Sequence, residues 1–131
     1  MSFEYETEKR EFVRIKVDIP VRYRFLSREL DLGDDKVRGG VTRNISGSGL
    51  LLLGQLPKPD WITPLLMQHI VVGVNILIPK LINPVKALTR VAWIEAIPEG
   101  ADKCAMGLKF REITKEGQDE IFRYVIRSQM H

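Results

Sequence analysis

The chain has 131 residues, a formal net charge of +3 and 28% charged side chains. That length suits one domain hiding roughly two thirds of its unfolded surface, and the 44% hydrophobic content excludes a disordered or fibrous chain. No apolar run approaches the ~18 residues of a transmembrane helix, the opening "MSFEYETEKR" is too polar for a signal sequence, and the single cysteine cannot form an internal disulfide, so a cytoplasmic protein is expected.

In chain order, the first feature is "EKREFVR" at residues 8–14, which sets Arg10 and Arg14 four apart in front of a strand. Residues 1–14 carry few apolar anchors, and Lys9, Arg10 and Arg14 repel one another, so a flexible N-terminal arm is expected. From Ile15 the sequence alternates with period two: Ile15, Val17, Ile19, Val21, Tyr23 and Phe25 share one face, Lys16, Asp18, Arg22 and Arg24 the other. This is a long half-buried strand, and Pro20, which has no N–H, predicts an edge position or a bulge. Residues 27–40 read as a polar, glycine-rich loop in which Asp34 and Asp35 form a solvated turn, followed by a second strand over 41–45.

"NISGSG" at 44–49 is a turn, and "GLLLLG" after it a third strand. Residues 57–69, "PKPDWITPLLMQH", interrupt the pattern and read as a lid or insertion; Asp60 can begin a helical turn, but Pro64 rules out a long helix. A fourth strand spans 70–78, with "VKALTRVAWIEAI" and "KCAMGLKFR" as fifth and sixth. The last segment changes period: Ile121, Phe122, Val125 and Gln129 recur at helical spacing, with Glu116 and Asp119 near the start and Arg127 near the end. Strands without crossover helices point to an antiparallel meander, and closing it into a barrel removes exposed edges. The expected organisation is mainly β and a single domain over 1–131: an arm at 1–14, a barrel at 15–113 and a C-terminal helix at 114–131.

Arginine offers a planar fork of donors that suits phosphate and a flat face that stacks on purines, so Arg10 and Arg14 can grip two parts of one nucleotide. In "NISGSG", Asn44 and Ser46 supply short hydrogen-bonding heads, while Gly47 and Gly49 allow close backbone approach and positive φ. Catalysis has no comparable support. His69 and His131 lie in no pattern with metal-ligand spacing, and Cys104 is in phase with Met106, Leu108 and Phe110 as a small core hydrophobe. A binding module without metal or cofactor is expected, not an enzyme.

Taken in order, Arg10-Glu-Phe-Val-Arg14 and Asn44-Ile-Ser46-Gly-Ser-Gly49 resemble the two signatures of the PilZ domain, RxxxR and D/NxSxxG. The similarity continues through "IKVDIPVRYRF", "TRVAWIE", "MGLKF" and the closing helix. Asn44 stands where the family more often has Asp, and the loop at 27–40 stretches the spacing between motifs. The resemblance implies a six-stranded antiparallel barrel with a terminal helix, and a bacterial receptor for cyclic di-GMP. It assigns Arg10 and Arg14 to phosphate and guanine, Asn44 and Ser46 to a guanine edge and phosphate, and Gly49 to the turn. Lys9 and Gly47 are secondary contacts or ordinary surface, and Trp93 a wall of the pocket or a core or rim aromatic.

Such a receptor passes its signal to an unidentified protein partner in motility, exopolysaccharide, pilus or virulence machinery. Two rivals stay open: a degenerate PilZ-like interaction module that binds no nucleotide, and a small nucleic-acid-binding barrel. The second expects aromatics among exposed cations, whereas Tyr23 and Phe25 fall in the apolar phase of the first strand.

Overall fold

The period-two run turns its apolar phase inward: Ile19, Val21, Tyr23 and Phe25 are buried while Arg22 and Arg24 face solvent. The computed structural model describes residues 15–98 and 102–129. In it β1 (Ile15–Leu26), β2 (Arg38–Ser46), β3 (Gly49–Gln55), β4 (Val71–Ile76), β5 (Val85–Ala96) and β6 (Lys103–Ile113) form a closed barrel in the order β1-β2-β3-β6-β5-β4. Every neighbouring pair is antiparallel. Closure leaves none of these strands with an unpaired edge. The irregularity expected at Pro20 lies just before it, where the β1–β2 register shifts between Lys16 and Ile19.

The strand order departs from a simple meander, because β3 pairs with β6 and β4 returns to lie beside β1. The crossover is made by the segment at 57–69, expected to be a lid or insertion. It forms a 3₁₀ turn, Pro59–Trp61, and the short helix α1, Ile62–Leu66, and it buries Trp61 and Leu65 in the core. Trp61 and Leu65 join the same core cluster as Phe25 and Ile70, so this segment is part of the packed interior and not a peripheral insertion. Trp61 meets Phe25 edge-on with ring centroids 5.3 Å apart, and the Arg38 guanidinium lies 5.2 Å from the centre of Phe25 and 5.9 Å from that of Trp61. Nη2 of Arg38 donates to Asp34 at 3.0 Å. Asp34 is therefore a partly buried ion-pair partner, not the solvated turn residue its loop suggested.

Helix α2, Lys115–Gln129, begins where Thr114 Oγ1 accepts the Gly117 N–H at 2.9 Å, an N-cap interaction. Its buried stripe is Gly117, Ile121 and Val125, packed against β1, β2 and β5, and Phe122 is 36% exposed at the margin. Among the described residues no helix is long and apolar enough to cross a membrane.

Candidate binding site

The second motif closes the β2–β3 hairpin. Ser46 and Gly49 pair across it, with Gly47 and Ser48 at the tip. Ser46 Oγ accepts the Ser48 N–H at 3.2 Å and lies 3.1 Å from Ser48 Oγ, and the Ser46 side chain is fully buried. The Gly47 carbonyl accepts Nε2 of Gln118 at 3.0 Å, which ties the turn to the first turn of α2. Gly49 does not have the positive φ its motif suggested. A Cβ there would fall on the Leu108 carbonyl oxygen, so glycine is needed for the close approach of β3 to β6.

Asn44 reaches the outer face through a bulge. Thr42 pairs with Leu52 and Asn44 with Leu51, so Arg43 is an extra residue and the inward phase of Thr42 is not repeated at Asn44. A second bulge treats Trp93 alike. Val91 pairs with Leu108 and Trp93 with Gly107, so Ala92 is extra, and Trp93 turns outward although Val91 is buried. Trp93 is 44% exposed and is not a core aromatic.

These two bulges have a joint effect. Asn44, Leu51, Gly107 and Trp93 are successive partners across β2, β3, β6 and β5, one row on the outside of the barrel. Asn44 and Trp93 stand three strand spacings apart, about 14 Å along the sheet. The indole lies over Gly107, where any Cβ would collide with it. Asn44, Leu51, Gly107 and Trp93 line a recess of about 230 Å³ together with Leu50, Ala92, Leu108 and Lys109.

Arg10, Arg14 and Lys9 lie outside the described residues. The strand that follows them runs beside the second motif, Ile15 pairing with Ile45 and Lys16 with Asn44. The second motif is thus paired with the start of β1, the strand that follows Arg14 in sequence. Sequence reading missed Gln118, whose anchoring role depends on where α2 docks, and Lys109, which "MGLKF" contains without singling out.

Cys104 is buried, burial raises its thiol pKa, and its Sγ lies 3.6 Å from the Gln55 carbonyl. Among the described residues no three His, Cys, Asp or Glu side chains gather as metal ligands would.

A family model described as PilZ domain matches residues 8–127, a span that takes in Arg10 and Arg14 and ends within α2. The chain belongs to the PilZ domain family. No curated protein matches it. Among solved structures, the inhibitor of motility MotI/DgrA of Bacillus subtilis aligns with 93% of this PilZ domain at 20% identity and a TM-score of 0.65. The PilZ domain of YcgR from Escherichia coli, with c-di-GMP, aligns with 92% at 11% identity and a TM-score of 0.58, over 90% of its own chain. PlzA of Borreliella burgdorferi, in complex with c-di-GMP, aligns with 96% at 15% identity and a TM-score of 0.54. The chain spans about half of the motility inhibitor and of PlzA, 52% and 55% of their lengths. At these identities the likeness is one of fold.

Proposed function

We propose that this PilZ domain binds cyclic di-GMP on the outside of its barrel, beside the turn at 46–49. The observation that carries the reading is the registered row of Asn44, Leu51, Gly107 and Trp93. A guanine needs an aromatic plane to stack on and a hydrogen-bonding group at its edge, and this row has the plane at one end and an amide at the other. Bare backbone at Gly107 lets the Trp93 indole lie close on the sheet, where it offers that plane. The c-di-GMP complexes of YcgR and PlzA, similar folds, support the same ligand class.

On this reading Arg10 and Arg14 supply forked donors to the phosphates and a flat face to guanine, with Lys9 as an added cation. Asn44 meets a guanine edge and Trp93 stacks. Ser46 and Gly49 hold the turn, which presents the backbone at Gly47. An anion removes the mutual repulsion of Lys9, Arg10 and Arg14, so ligand folds residues 1–14 over the recess and creates a surface that a protein partner reads.

Titration calorimetry with cyclic di-GMP, using GTP and cyclic GMP as controls, tests the proposal. A ligand at a hundred times its dissociation constant adds about 2.7 kcal/mol to the native state, enough to raise the melting temperature by several degrees. No heat and no thermal shift at high micromolar cyclic di-GMP would leave a degenerate interaction module as the better reading.

A further inference from the structure

Arg90 on β5 and Lys109 on β6 are direct partners across antiparallel strands, and Arg111 follows on β6 as the extra residue of a bulge. Like charges set directly opposite each other destabilise a sheet. None of the three forms an ion pair with an acid among the described residues. The three line a groove of about 550 Å³ with Gly47, Ser48 and Gln118, and Lys109 is also paired with Gly49 of the second motif. Lys109 alone is shared between this groove and the Asn44–Trp93 recess.

The sizes of the two depressions bear on what they hold. The recess, about 230 Å³, falls below the ~300–1,000 Å³ usual for a small-molecule site, whereas the adjoining groove, about 550 Å³, falls within it both alone and together with the recess. Along β6, Lys109 stands one outward position beyond Gly107, about 7 Å away. A base stacked on the indole that covers Gly107 therefore leaves its sugar and phosphate at the rim where Lys109 stands.

We infer that Arg90, Lys109 and Arg111 form a third cationic element of the ligand site, outside both sequence motifs, which receives a phosphodiester of the bound cyclic dinucleotide. This rests on the receptor reading above. The bound phosphate supplies the counter-charge that the Arg90–Lys109 pair lacks. Glu112, three residues beyond Lys109 on β6, also lines the groove and repels an anion, which favours the end near Gly47 and Lys109 for the phosphate. Sequence motifs cannot show this element, because its cations come from strands that register alone brings to the turn.

The test is calorimetry of the full chain with cyclic di-GMP at low and moderate salt, for wild type and for Lys109→Gln, Arg90→Gln and Arg111→Gln, with melting temperatures taken without ligand. Lys109→Gln should weaken binding about tenfold or more and make the affinity less sensitive to salt. Its ligand-free melting temperature should hold or rise at low salt, because the opposed charge is gone. Should Arg90→Gln, the more buried change, fail to fold, Arg111→Gln gives the independent reading. Variants that bind as tightly as wild type, with the same salt dependence, overturn the third element and leave the receptor reading intact. A wild type that draws no heat overturns the receptor reading, and this inference with it.

Discussion

Replacing Gly49 by alanine separates a glycine kept for the fold from one kept for a ligand. The new Cβ would land on the Leu108 carbonyl oxygen and sit 3.1 Å from Leu108 C and Lys109 Cα. All three are backbone atoms, so no rotamer change relieves the contact, and β3 must move away from β6. The hydrogen bond from the Phe110 N–H to the Ser48 carbonyl, 2.9 Å long, lies at that point and is put at risk. Overpacking costs about 1–3 kcal/mol and a lost hydrogen bond about 1 kcal/mol, against about 0.4–1 kcal/mol returned by a stiffer unfolded chain. The net expectation is a loss of about 1–3 kcal/mol, which for a domain of this size lowers the melting temperature by roughly 3–15 °C. Gly39→Ala provides the control, because a Cβ there meets nothing within 4 Å; it should change stability by about 0.5 kcal/mol or less, or raise it slightly. Urea and thermal unfolding without ligand measure both. If Gly49→Ala proves as stable as Gly39→Ala, the strand-approach argument is wrong and the motif glycine serves the ligand.

Arg10→Ala and Arg14→Ala should each weaken cyclic di-GMP binding at least tenfold, since charge-assisted hydrogen bonds are worth about 1.5–3 kcal/mol, and leave the ligand-free melting temperature almost unchanged; unfolding in either variant without ligand would show the arginine to be structural. Amide hydrogen exchange at residues 8–14 should slow when cyclic di-GMP is added, and protection already present without it defeats the switch while sparing the binding reading. The Lys36 N–H, 2.8 Å from Asp34 Oδ1, and then the Arg38 side chain hold Asp34 below the ordinary carboxylate range. Its contribution to stability is complete above the unfolded-chain value of about 3.9 and disappears as pH falls through the lower folded value. Asp34→Asn should therefore be less stable than wild type near neutrality and converge with it in acid, and parallel stability curves from about pH 2 to 6 would contradict the pairing.

Periodicity made the strands legible because Ile19, Val21, Tyr23 and Phe25, and later Val72, Val74 and Ile76, alternate without interruption and are buried. The site was legible only in part. Motif spacing pointed to Asn44 and the turn, but the row that carries the proposal depends on bulges at Arg43 and Ala92, each of which shifts the phase by one residue. A strict period-two reading puts Trp93 on the same face as buried Val91, and no local signal says otherwise. Residues 57–69 misled for a different reason. Their prolines and short apolar runs suggest a peripheral insertion, and only closure of the barrel makes burial of Trp61 and Leu65 necessary. Asp34 likewise looks like a loop acid until Arg38, four residues on, turns back to it and the fold brings Lys58 beside the pair.

The anatomy of the turn bears on how much a motif match can say. Of the three defining letters of NxSxxG, one faces outward: Asn44 lines the recess, whereas Ser46 is sealed inside the hairpin and Gly49 is fixed by the Leu108 carbonyl. In this chain the serine and the glycine of the signature are thus both engaged by the architecture of the hairpin itself. A relative with the same hairpin that lost its ligand would be expected to keep the serine and the glycine and to be released at the asparagine and the arginines. Finding S-x-x-G in such a sequence therefore certifies a hairpin, and evidence for a receptor is concentrated in the residues whose loss the fold would not notice.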